Sequence, residues 1–483
     1  MKILLASSEV HPYSKSGGLA DMVGALAKAL ARAGLRVGLV TPLYQGILER
    51  FPGMQASDGQ IDLPLGTRRV RADVFQHEWE SGLTIYFVHQ PEFFHRTGLY
   101  QEQGEDYPDN AERFVFLSKC VAHLARSLPW EPELVHVHDW QVALTPLLIK
   151  DEKERAGWRA APRTCLTIHN LAYQGVFDRS AYEPTNLSWS HFNPDGAEFH
   201  GMMNCLKAGI CYADQITTVS PRYAREIMTE AFGCGLDGML RRRQSSLTGI
   251  LNGVDYTEWK TTGNPFLEHR FTLRNFHGKA AEKFSLQQEM GLPPAADIPL
   301  FGNISRLVDQ KGSHILLGAL EEMLAAKMQF VLLGSGSPML ENAFQNLSRR
   351  YPGQVAARIG YDHALSHRIE AGCDFYLMPS RFEPCGLNQM YSLRYGTIPV
   401  VRATGGLDDS IIDPTEDLEQ ATGIKFYEYS SRALAKAIRK ALVLYQDARL
   451  LRQFRKNGMM TDFSWDRTTH AYLAVYRRML ETA

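Results

Sequence analysis

The fold class of this chain is decided by residues 2–41, KILLASSEVHPYSKSGGLADMVGALAKALARAGLRVGLVT. The stretch opens on a short apolar run, Ile3–Ser7, which predicts a β-strand and leads into a loop with paired glycines. Apolar residues then recur at helical spacing on one face: Met22, Val23, Leu26 and Leu30. Gly34 is a typical helix-terminating residue, and Arg36–Thr41 again reads as a strand. The pattern therefore predicts a βαβ unit with parallel strands.

The same alternation of strands and helices continues along the chain. In the first half we predict three more strands, each ending in polar residues: Leu134–His138, Thr164–His169 and Gln215–Val219. In the second half we predict five strands: Pro299–Ile304, Phe330–Leu333, Val355–Ile359, Phe375–Pro379 and Ile398–Val401. Helices are predicted between them: His314–Lys327, Pro338–Arg350, Leu365–Ala371 and Leu387–Arg394. Repeated βαβ units predict an α/β protein with two doubly wound, Rossmann-like domains that face a central cleft.

Three segments follow from this organisation. We predict an N-terminal Rossmann-like domain over residues 1–250 and a C-terminal Rossmann-like domain over residues 251–460. Residues 461–483 should form a C-terminal helix that crosses back to the N-terminal domain. The stretch Asn264–Ala296 is polar and contains Gly and Pro, so we predict a peripheral insertion near the boundary.

Composition excludes several classes of protein. The chain has 52 Lys and Arg against 53 Asp and Glu, so no global field attracts nucleic acid or an anionic membrane. The basic run Arg241–Arg243 is interpreted as a solvated surface turn. No apolar run approaches the roughly 18 residues of a membrane span. Seven cysteines without a C-x-x-C pair, and an N-terminus that opens as a strand, favour buried free thiols in a cytoplasmic protein.

The loop of the first βαβ unit is a candidate ligand site. The pair Gly17-Gly18 would let backbone amides approach a ligand, and the N-terminus of the following helix favours anions. Lys15 adds a positive charge, but the loop matches neither the dinucleotide nor the P-loop fingerprint. These residues alone leave open a tight turn with an exposed lysine.

A second candidate loop, Ser305–Gly312, follows a predicted strand of the second half. Arg306 offers a bidentate fork for a diphosphate and Lys311 a compact charge, so both could stabilise a departing nucleoside diphosphate. The alternative is a surface ion pair with Asp309. No D-x-D tripeptide occurs in the chain, which is consistent with a reaction that uses no metal ion.

A third candidate loop surrounds Glu383. Backbone amides of Cys385, Gly386 and Leu387 precede a predicted helix start and could bind a phosphate or a sugar hydroxyl. We interpret Cys385 as a pocket-lining residue rather than a nucleophile, because no His/Asn arrangement supports it. At the end of the next strand the same pattern recurs in Thr404, Gly405 and Gly406.

Taken together and in order, these motifs resemble the signature set of bacterial glycogen synthases and plant starch synthases. The resemblance runs from about residue 3 to about residue 465, which makes it very specific. Its motifs are Lys15–Leu19, His136–Trp140, Thr167–Gly175, Lys207–Gly209, Thr218–Pro221, Leu251–Asp255, Ser305–Gly312, Arg381–Leu387 and Thr404–Leu407. The resemblance implies a GT-B fold whose N-terminal domain lies on the acceptor side and whose C-terminal domain binds the nucleotide-sugar donor.

For the first half, the resemblance implies that Lys15 and the Gly17 and Gly18 amides contact the donor's phosphates and sugar, with Asp21 beside them. It also implies that His169 contacts the sugar at the reacting centre. Asp139 and Asn252 would line the glucose and acceptor side.

For the second half, the resemblance implies that Arg306 and Lys311 hold the diphosphate and that Glu383 lies by the glucosyl ring. The amides of Cys385–Leu387 would lie near its hydroxyls, and Tyr361 would stack on the adenine. Thr404, Gly405 and Gly406 are further predicted substrate-binding residues. His169, Arg306, Lys311 and Glu383 are thus the predicted catalytic residues.

The implied reaction transfers glucose from ADP-glucose to the non-reducing end of an α-1,4-glucan, with retention, and elongates glycogen. It needs no cofactor or metal, and no nucleic acid or membrane partner. Two rivals remain: another retaining GT-B transferase of the sucrose or trehalose synthase type, and a silent glucan-binding scaffold that would be expected to lack Lys15, Arg306 or Lys311. The chain departs from the family pattern at Gln141, where His is frequent, and at His95, where Asp is frequent.

Overall fold

The computed structural model describes residues 1–481, apart from the side chain of Asp58, and divides them into two compact units. The first unit contains Met1–Val219, Ala224–Gly253 and the C-terminal helix Trp465–Glu481. The second contains Ser220–Tyr223 and Val254–Ser464. Each unit is built around its own sheet.

The first unit has a nine-stranded sheet. Its strands lie side by side in the order Leu247–Gly249, Gln215–Thr218, Arg163–Ile168, Leu134–His138, Lys2–Ala6, Arg36–Pro42, Leu83–His89, Arg68–Glu80 and Gln55–Leu65. All neighbours are parallel up to Leu83–His89, and the last two strands are antiparallel. The predicted βαβ unit around residues 2–41 is therefore confirmed.

Helices of the first unit follow the strands as the periodicity predicts. Helix Gly18–Arg32 buries the predicted face, and Gly34 adopts a positive φ of 86° after its end. The other α-helices of this unit are Ile47–Arg50, Pro91–Phe94, Asn110–Ser127, Thr145–Ala156, Cys205–Tyr212, Asp237–Arg242 and Trp465–Glu481. Helix Pro221–Glu226 has residues in both units. Short additional strands are Gln101–Glu102, Glu105–Asp106, Val176–Phe177, Glu198–Phe199 and Met202–Asn204.

The second unit has a six-stranded, fully parallel sheet. Its strand order is Val355–Ile359, Gln329–Gly334, Leu300–Ile304, Phe375–Met378, Ile398–Arg402 and Ile424–Phe426. Its α-helices are His277–Glu289, Ser313–Met323, Pro338–Arg350, His363–Gly372, Asn388–Arg394, Gly405–Ser410, Ser431–Gln446 and Ala448–Met460. The five predicted strands and four predicted helices are all present, with ends shifted by a few residues at most.

One sequence-based prediction about the second unit is wrong. The polar stretch Asn264–Ala296 contains helix His277–Glu289, and this helix packs into the unit instead of forming a peripheral insertion. Buried Lys279 donates to the carbonyl of Ala371 at 2.8 Å, and buried Lys283 forms an ion pair with Asp374 at 2.7 Å. Partners for the ammonium groups make the burial of a polar helix possible.

The basic run Arg241–Arg243 also differs from its interpretation as a surface turn. Arg241 and Arg242 are exposed, but the Arg243 guanidinium donates to the carbonyls of Ile210, Cys211 and Ala213 at the end of helix Cys205–Tyr212. Arg243 thus satisfies carbonyls that a helix end leaves without intrahelical partners.

The cysteines are free thiols, and five of the seven are buried. Within residues 1–481, no helix is both long enough and apolar enough to cross a membrane.

Candidate functional site

The loop before helix Gly18–Arg32 is organised by an internal carboxylate. Glu9 is buried and accepts from the backbone amides of Ser16 and Gly17 and from the Ser16 hydroxyl at 2.6 Å. The Tyr100 hydroxyl also donates to Glu9, at 2.6 Å, and burial with Glu9 nearby raises the Tyr100 pKa well above its usual value. The anion-favouring position before this helix is therefore already filled by Glu9.

Neither Glu9 nor Tyr100 was singled out from the sequence. Glu9 was visible as an acidic residue between the strand and the glycine pair, but its partner Tyr100 lies 91 residues further along the chain. Only folding brings the two together.

Lys15 and Asp21 form an ion pair in the same loop region. Their nearest atoms are 2.7 Å apart, and the Lys15 side chain is 42% exposed. Gly17 and Gly18 are exposed beside them. Because the pair is largely solvated, either side chain can exchange its partner for a ligand at little cost.

Three histidines at the ends of two neighbouring strands form a row in the first unit, with His136 and His138 buried and His169 partly exposed. His138 Nδ1 lies 3.1 Å from His169 Nε2, and His136 bonds Thr167 and Tyr476 through its two ring nitrogens. Burial lowers the pKa of both His136 and His169 to about 3, so these rings are neutral at physiological pH.

The free-energy cost of the two possible tautomers decides whether His138 or His169 donates the hydrogen bond between them. His138 Nε2 is buried without a hydrogen-bond partner in the described part of the chain. If it carried the proton, a buried N–H would lack an acceptor, which costs more than an unused lone pair. His138 therefore donates from Nδ1, and His169 accepts at Nε2 and carries its own proton on Nδ1.

Asp139 and Asn252 are the other predicted site residues of the first unit. Asp139 is buried and accepts from the His169 amide at 2.7 Å, and burial raises its pKa to about 7. Asn252 is buried, and its Oδ1 has no partner among the described residues. Of the two departures from the family pattern, Gln141 is buried and His95 is exposed.

In the second unit, Lys311 and Glu383 meet at the carboxyl ends of two neighbouring strands. Lys311 Nζ lies 2.6 Å from Glu383 Oε2, and the Ser380 hydroxyl donates to the same oxygen at 2.9 Å. Glu383 is buried and Lys311 is partly exposed. Since strands Leu300–Ile304 and Phe375–Met378 are paired in the sheet, the two loops that follow them must be adjacent.

Arg306 is exposed, and its guanidinium has no hydrogen-bond or ion-pair partner within residues 1–481. Asp309, the alternative partner considered for Arg306 and Lys311, instead pairs with Arg381 at 3.1 Å and with His314 at 3.3 Å. The cationic groups of Arg306 and Lys311 are thus not neutralised by Asp309.

The Glu383–Leu387 loop leads into helix Asn388–Arg394. Gly386 adopts a φ of 71°, a conformation that favours glycine. The backbone N–H groups of Gly386 and Leu387 donate to no group that the structure describes, whereas Asn388 ties the helix start to the Ile304 carbonyl at 3.0 Å. Cys385 is buried in this loop.

The Thr404–Gly406 loop supports the Glu383 loop through its backbone. The Gly406 amide donates to the carbonyls of Glu383 and Pro384, both at 3.1 Å. A Cβ at Gly405 would lie 2.0 Å from the Glu383 carbonyl oxygen, and one at Gly406 would lie 2.1 Å from that of Cys385. Glycine is therefore required at both positions by close backbone approach.

Tyr361, the residue predicted to stack on the adenine, is strongly exposed to solvent. Its side chain is 76% exposed, and its hydroxyl lies 3.3 Å from His363 Nδ1. An exposed ring of this kind can stack on a planar ligand.

Family models cover both units of the chain. Residues 2–242 match the model of the starch synthase catalytic domain. Residues 291–459 match the model of glycosyl transferases group 1.

Relatives match over nearly the whole chain. A glycogen synthase of Anaeromyxobacter sp. (strain Fw109-5) is 47% identical over 99% of both chains. Glycogen synthase 2 of Nitrosococcus oceani is 44% identical over 99% of this chain and 97% of its own.

Solved structures agree with these matches. The catalytic domain of starch synthase IV from Arabidopsis thaliana, bound to ADP and acarbose, is 33% identical with a TM-score of 0.90, and the match covers 99% of both chains. A sucrose-phosphate synthase from Thermosynechococcus elongatus, 18% identical with a TM-score of 0.60, shares the fold. The chain therefore belongs to the bacterial glycogen and plant starch synthase family, and it is a GT-B glycosyltransferase that transfers glucosyl units in glycogen synthesis.

Proposed function

We propose that the protein transfers glucose from ADP-glucose to the non-reducing end of an α-1,4-glucan, with retention of the α configuration. The observation that carries this proposal is the likeness, over 99% of the chain, to a starch synthase whose structure contains ADP and acarbose. The charges and open amides of the second unit support it.

Residues of the second unit would bind the nucleotide end of the donor. Arg306 presents an unpaired, planar fork that suits two phosphate oxygens, and Lys311 adds a charge held in place by Glu383. The Gly386 and Leu387 amides, which donate to no described group, would bind donor oxygens, and exposed Tyr361 would stack on adenine. Cys385 would line the pocket, with Thr404, Gly405 and Gly406 as its backbone support.

Glu383 would lie beside the glucosyl ring. Its carboxylate is fixed by Lys311 and Ser380, so it is preorganised to stabilise positive charge that develops at the anomeric carbon. On donor binding, Lys311 would share its charge between this carboxylate and the diphosphate.

Residues of the first unit would contact sugars and phosphate. His169 would offer its Nδ1–H to a glucose hydroxyl as a neutral donor, positioned by His138 and by the bond from its amide to Asp139. Asn252 would offer its unpartnered Oδ1 to a hydroxyl. Lys15, released from Asp21, would contact the donor's phosphates. The Gly17–Gly18 turn would contact them too, with the Gly17 amide exchanging its 3.3 Å bond to Glu9 for a donor oxygen.

The reaction would proceed through cleavage of the bond between the glucosyl anomeric carbon and the diphosphate oxygen. The bonding electrons leave with ADP, whose growing charge Arg306 and Lys311 stabilise. The glucan 4-hydroxyl attacks the carbon on the face that the leaving group occupied, and its proton passes to the departing phosphate. Atoms and charge balance without a cofactor, a metal ion or a protein base.

The test is a donor-competition assay on a glycogen primer with equal concentrations of ADP-glucose and UDP-glucose. We expect incorporation mainly from ADP-glucose, and only α-anomeric signals for the new linkages in the proton NMR spectrum. Preference for UDP-glucose would contradict the donor assignment, and β-linked product would contradict retention. Activity after exhaustive EDTA treatment is expected to persist, and a loss that Mg²⁺ or Mn²⁺ restores would overturn the metal-free mechanism.

A further inference from the structure

Three potential metal ligands converge in the second unit, and neither the proposed reaction nor the family motifs use them. Glu258 Oε1 lies 3.4 Å from His363 Nε2 and 3.9 Å from His367 Nε2. One ligand atom from each side chain lies within 4.8 Å of the other two. This is the only cluster of three such ligand-bearing side chains among the described residues.

Both imidazole rings direct the same nitrogen toward the carboxylate. The Nδ1 atom of His363 lies 3.3 Å from the Tyr361 hydroxyl, and that of His367 lies 2.9 Å from the Tyr395 hydroxyl. The His367 side chain has no solvent exposure, and its Nε2 has no hydrogen-bond partner in the described part of the protein. In the tautomer that carries its proton on Nδ1, this Nε2 has a free lone pair that can coordinate a cation.

The local fold holds these ligands in place. His363 and His367 are four residues apart on helix His363–Gly372, so they lie on one face. Trp259, the neighbour of Glu258, stacks on the His367 ring with centroids 4.1 Å apart. The stacking brings the Glu258 segment to the helix and restricts rotation of the buried imidazole.

We propose that Glu258, His363 and His367 bind one divalent transition-metal ion of the zinc class. Ligand atoms at about 2.0–2.2 Å from a tetrahedral zinc lie about 3.4 Å apart. The two separations from Glu258 Oε1, 3.4 Å to His363 Nε2 and 3.9 Å to His367 Nε2, are close to this value.

The Tyr361 hydroxyl can accept the Nδ1–H of His363, as outer partners of metal-binding histidines do. At His367 the Tyr395 hydroxyl can accept the Nδ1–H. The Asn264 side-chain amide lies 3.2 Å from the same nitrogen and donates to the Tyr395 hydroxyl at 2.8 Å.

The donor set selects the type of ion. Two imidazole nitrogens and one carboxylate favour Zn²⁺, Ni²⁺ or Cu²⁺ over Mg²⁺ and Ca²⁺, which prefer oxygen ligands. Three protein ligands leave a coordination position to water, and the partly exposed side chains of Glu258 and His363 give the ion access. The ion would also fix the hydrogen on His363 Nδ1 and so orient the Tyr361 hydroxyl.

The experiment titrates Zn²⁺ into the full-length protein after removal of metal with a chelator, and follows binding by calorimetry. We expect one equivalent per chain in the wild type. Because the His363 side chain is 41% exposed, H363A should fold, yet it should bind at least about tenfold more weakly. E258Q should weaken binding in the same way. The matched control is H269A, which removes an exposed histidine 3.8 Å from Glu268, and it should bind like the wild type.

Two outcomes would overturn the proposal: equal affinity in the wild type and H363A, or no binding in the wild type up to about 1 mM Zn²⁺. Co²⁺ provides a second measurement, because ligation by these groups should give visible absorption bands in the wild type that H363A lacks. Equal absorption bands in the wild type and in H363A would show that the ion binds at a different site. Since the readout is binding, the result is independent of the donor and the stereochemistry proposed above.

Discussion

Two glycine-containing loops, one in each unit, look alike in the sequence but differ in the structure. In the first unit, the amides of Ser16 and Gly17 are bonded to the internal carboxylate of Glu9. In the second unit, the amides of Gly386 and Leu387 donate to no group within residues 1–481. One loop is therefore internally satisfied, and the other is left open for a ligand.

The difference extends to the lysines of the two loops. Lys15 forms an exposed ion pair with Asp21, whereas Lys311 bonds the buried carboxylate of Glu383. A buried, hydrogen-bonded charge is held in a defined position, but a solvated one is not. The comparison supports the proposal that the second-unit loop is a preorganised binding site and that the first-unit loop contributes more adaptable contacts.

The largest expected effect concerns the cations of the open site. R306A or K311A should lower kcat by about 10²–10³-fold, because each removes a charge aimed at the leaving diphosphate. K327A is the matched control, since Lys327 is an exposed lysine of the same unit paired with Asp297. Steady-state kinetics on glycogen measure the effect. Turnover in R306A and K311A equal to that of K327A would remove both residues from the mechanism.

Next in size is the effect of a single methyl group in each glycine loop. G406A places Cβ about 2.1 Å from the Cys385 carbonyl oxygen, so the backbone must shift, at a cost of about 1–3 kcal/mol. G17A meets no atom within 4 Å and has an extended φ of −159°, so it should fold normally. Thermal denaturation distinguishes the two. Equal melting temperatures for G406A and G17A would contradict the close packing described for the second unit.

A smaller effect is expected from the internal anion of the first loop. E9Q keeps the shape of the side chain but removes the negative charge of Glu9. That charge accepts hydrogen bonds from the amides of Ser16 and Gly17 and from the Tyr100 hydroxyl. The free energy of unfolding should fall by about 1.5 kcal/mol. Denaturant unfolding, followed by aromatic fluorescence, measures the change. E49Q, at an exposed acid nearby in the sequence, should change nothing. If E9Q unfolds at the same midpoint as E49Q, Glu9 does not organise the loop.

The smallest effect is expected from breaking the exposed ion pair between Lys15 and Asp21. D21N should change stability by about 0.5 kcal/mol or less, and the difference should vanish in 1 M salt, which reduces the screening length to about 3 Å. Melting temperatures of the wild type and D21N at low and high salt measure this. A cost above about 2 kcal/mol would mean that Lys15 is held as firmly as Lys311.

Much of the fold could be predicted from local patterns. The βαβ unit of residues 2–41 and helix Pro338–Arg350 were predicted correctly because apolar spacing and helix-ending residues are local signals. The loops of Lys311 and Glu383 could be found because strands of a parallel sheet end at one edge, where the two loops meet. Asp139, Asn252 and Tyr361 were assigned to the site only by the resemblance to the family. Their roles toward donor and acceptor stay predictions.

Other features depend on partners that are distant in the chain. Asn264–Ala296 looked peripheral because its lysines are polar, yet Lys283 is buried against Asp374. The bond from the Gly17 amide to Glu9 was likewise not predicted. Neither the ion pair nor the bond has a signal in the sequence, since a polar group can be buried only where a remote partner satisfies it.

The sequence by itself thus determined the order of strands and helices, the class of fold and the loops that carry charge, because each depends on residues a few positions apart. Only the tertiary structure decided which loop amides are filled and which are open, and it brought Glu258 to His363 and His367. The physical reason is that hydrogen bonds and ligand clusters need atoms within a few ångströms, and that proximity arises only when distant segments fold together.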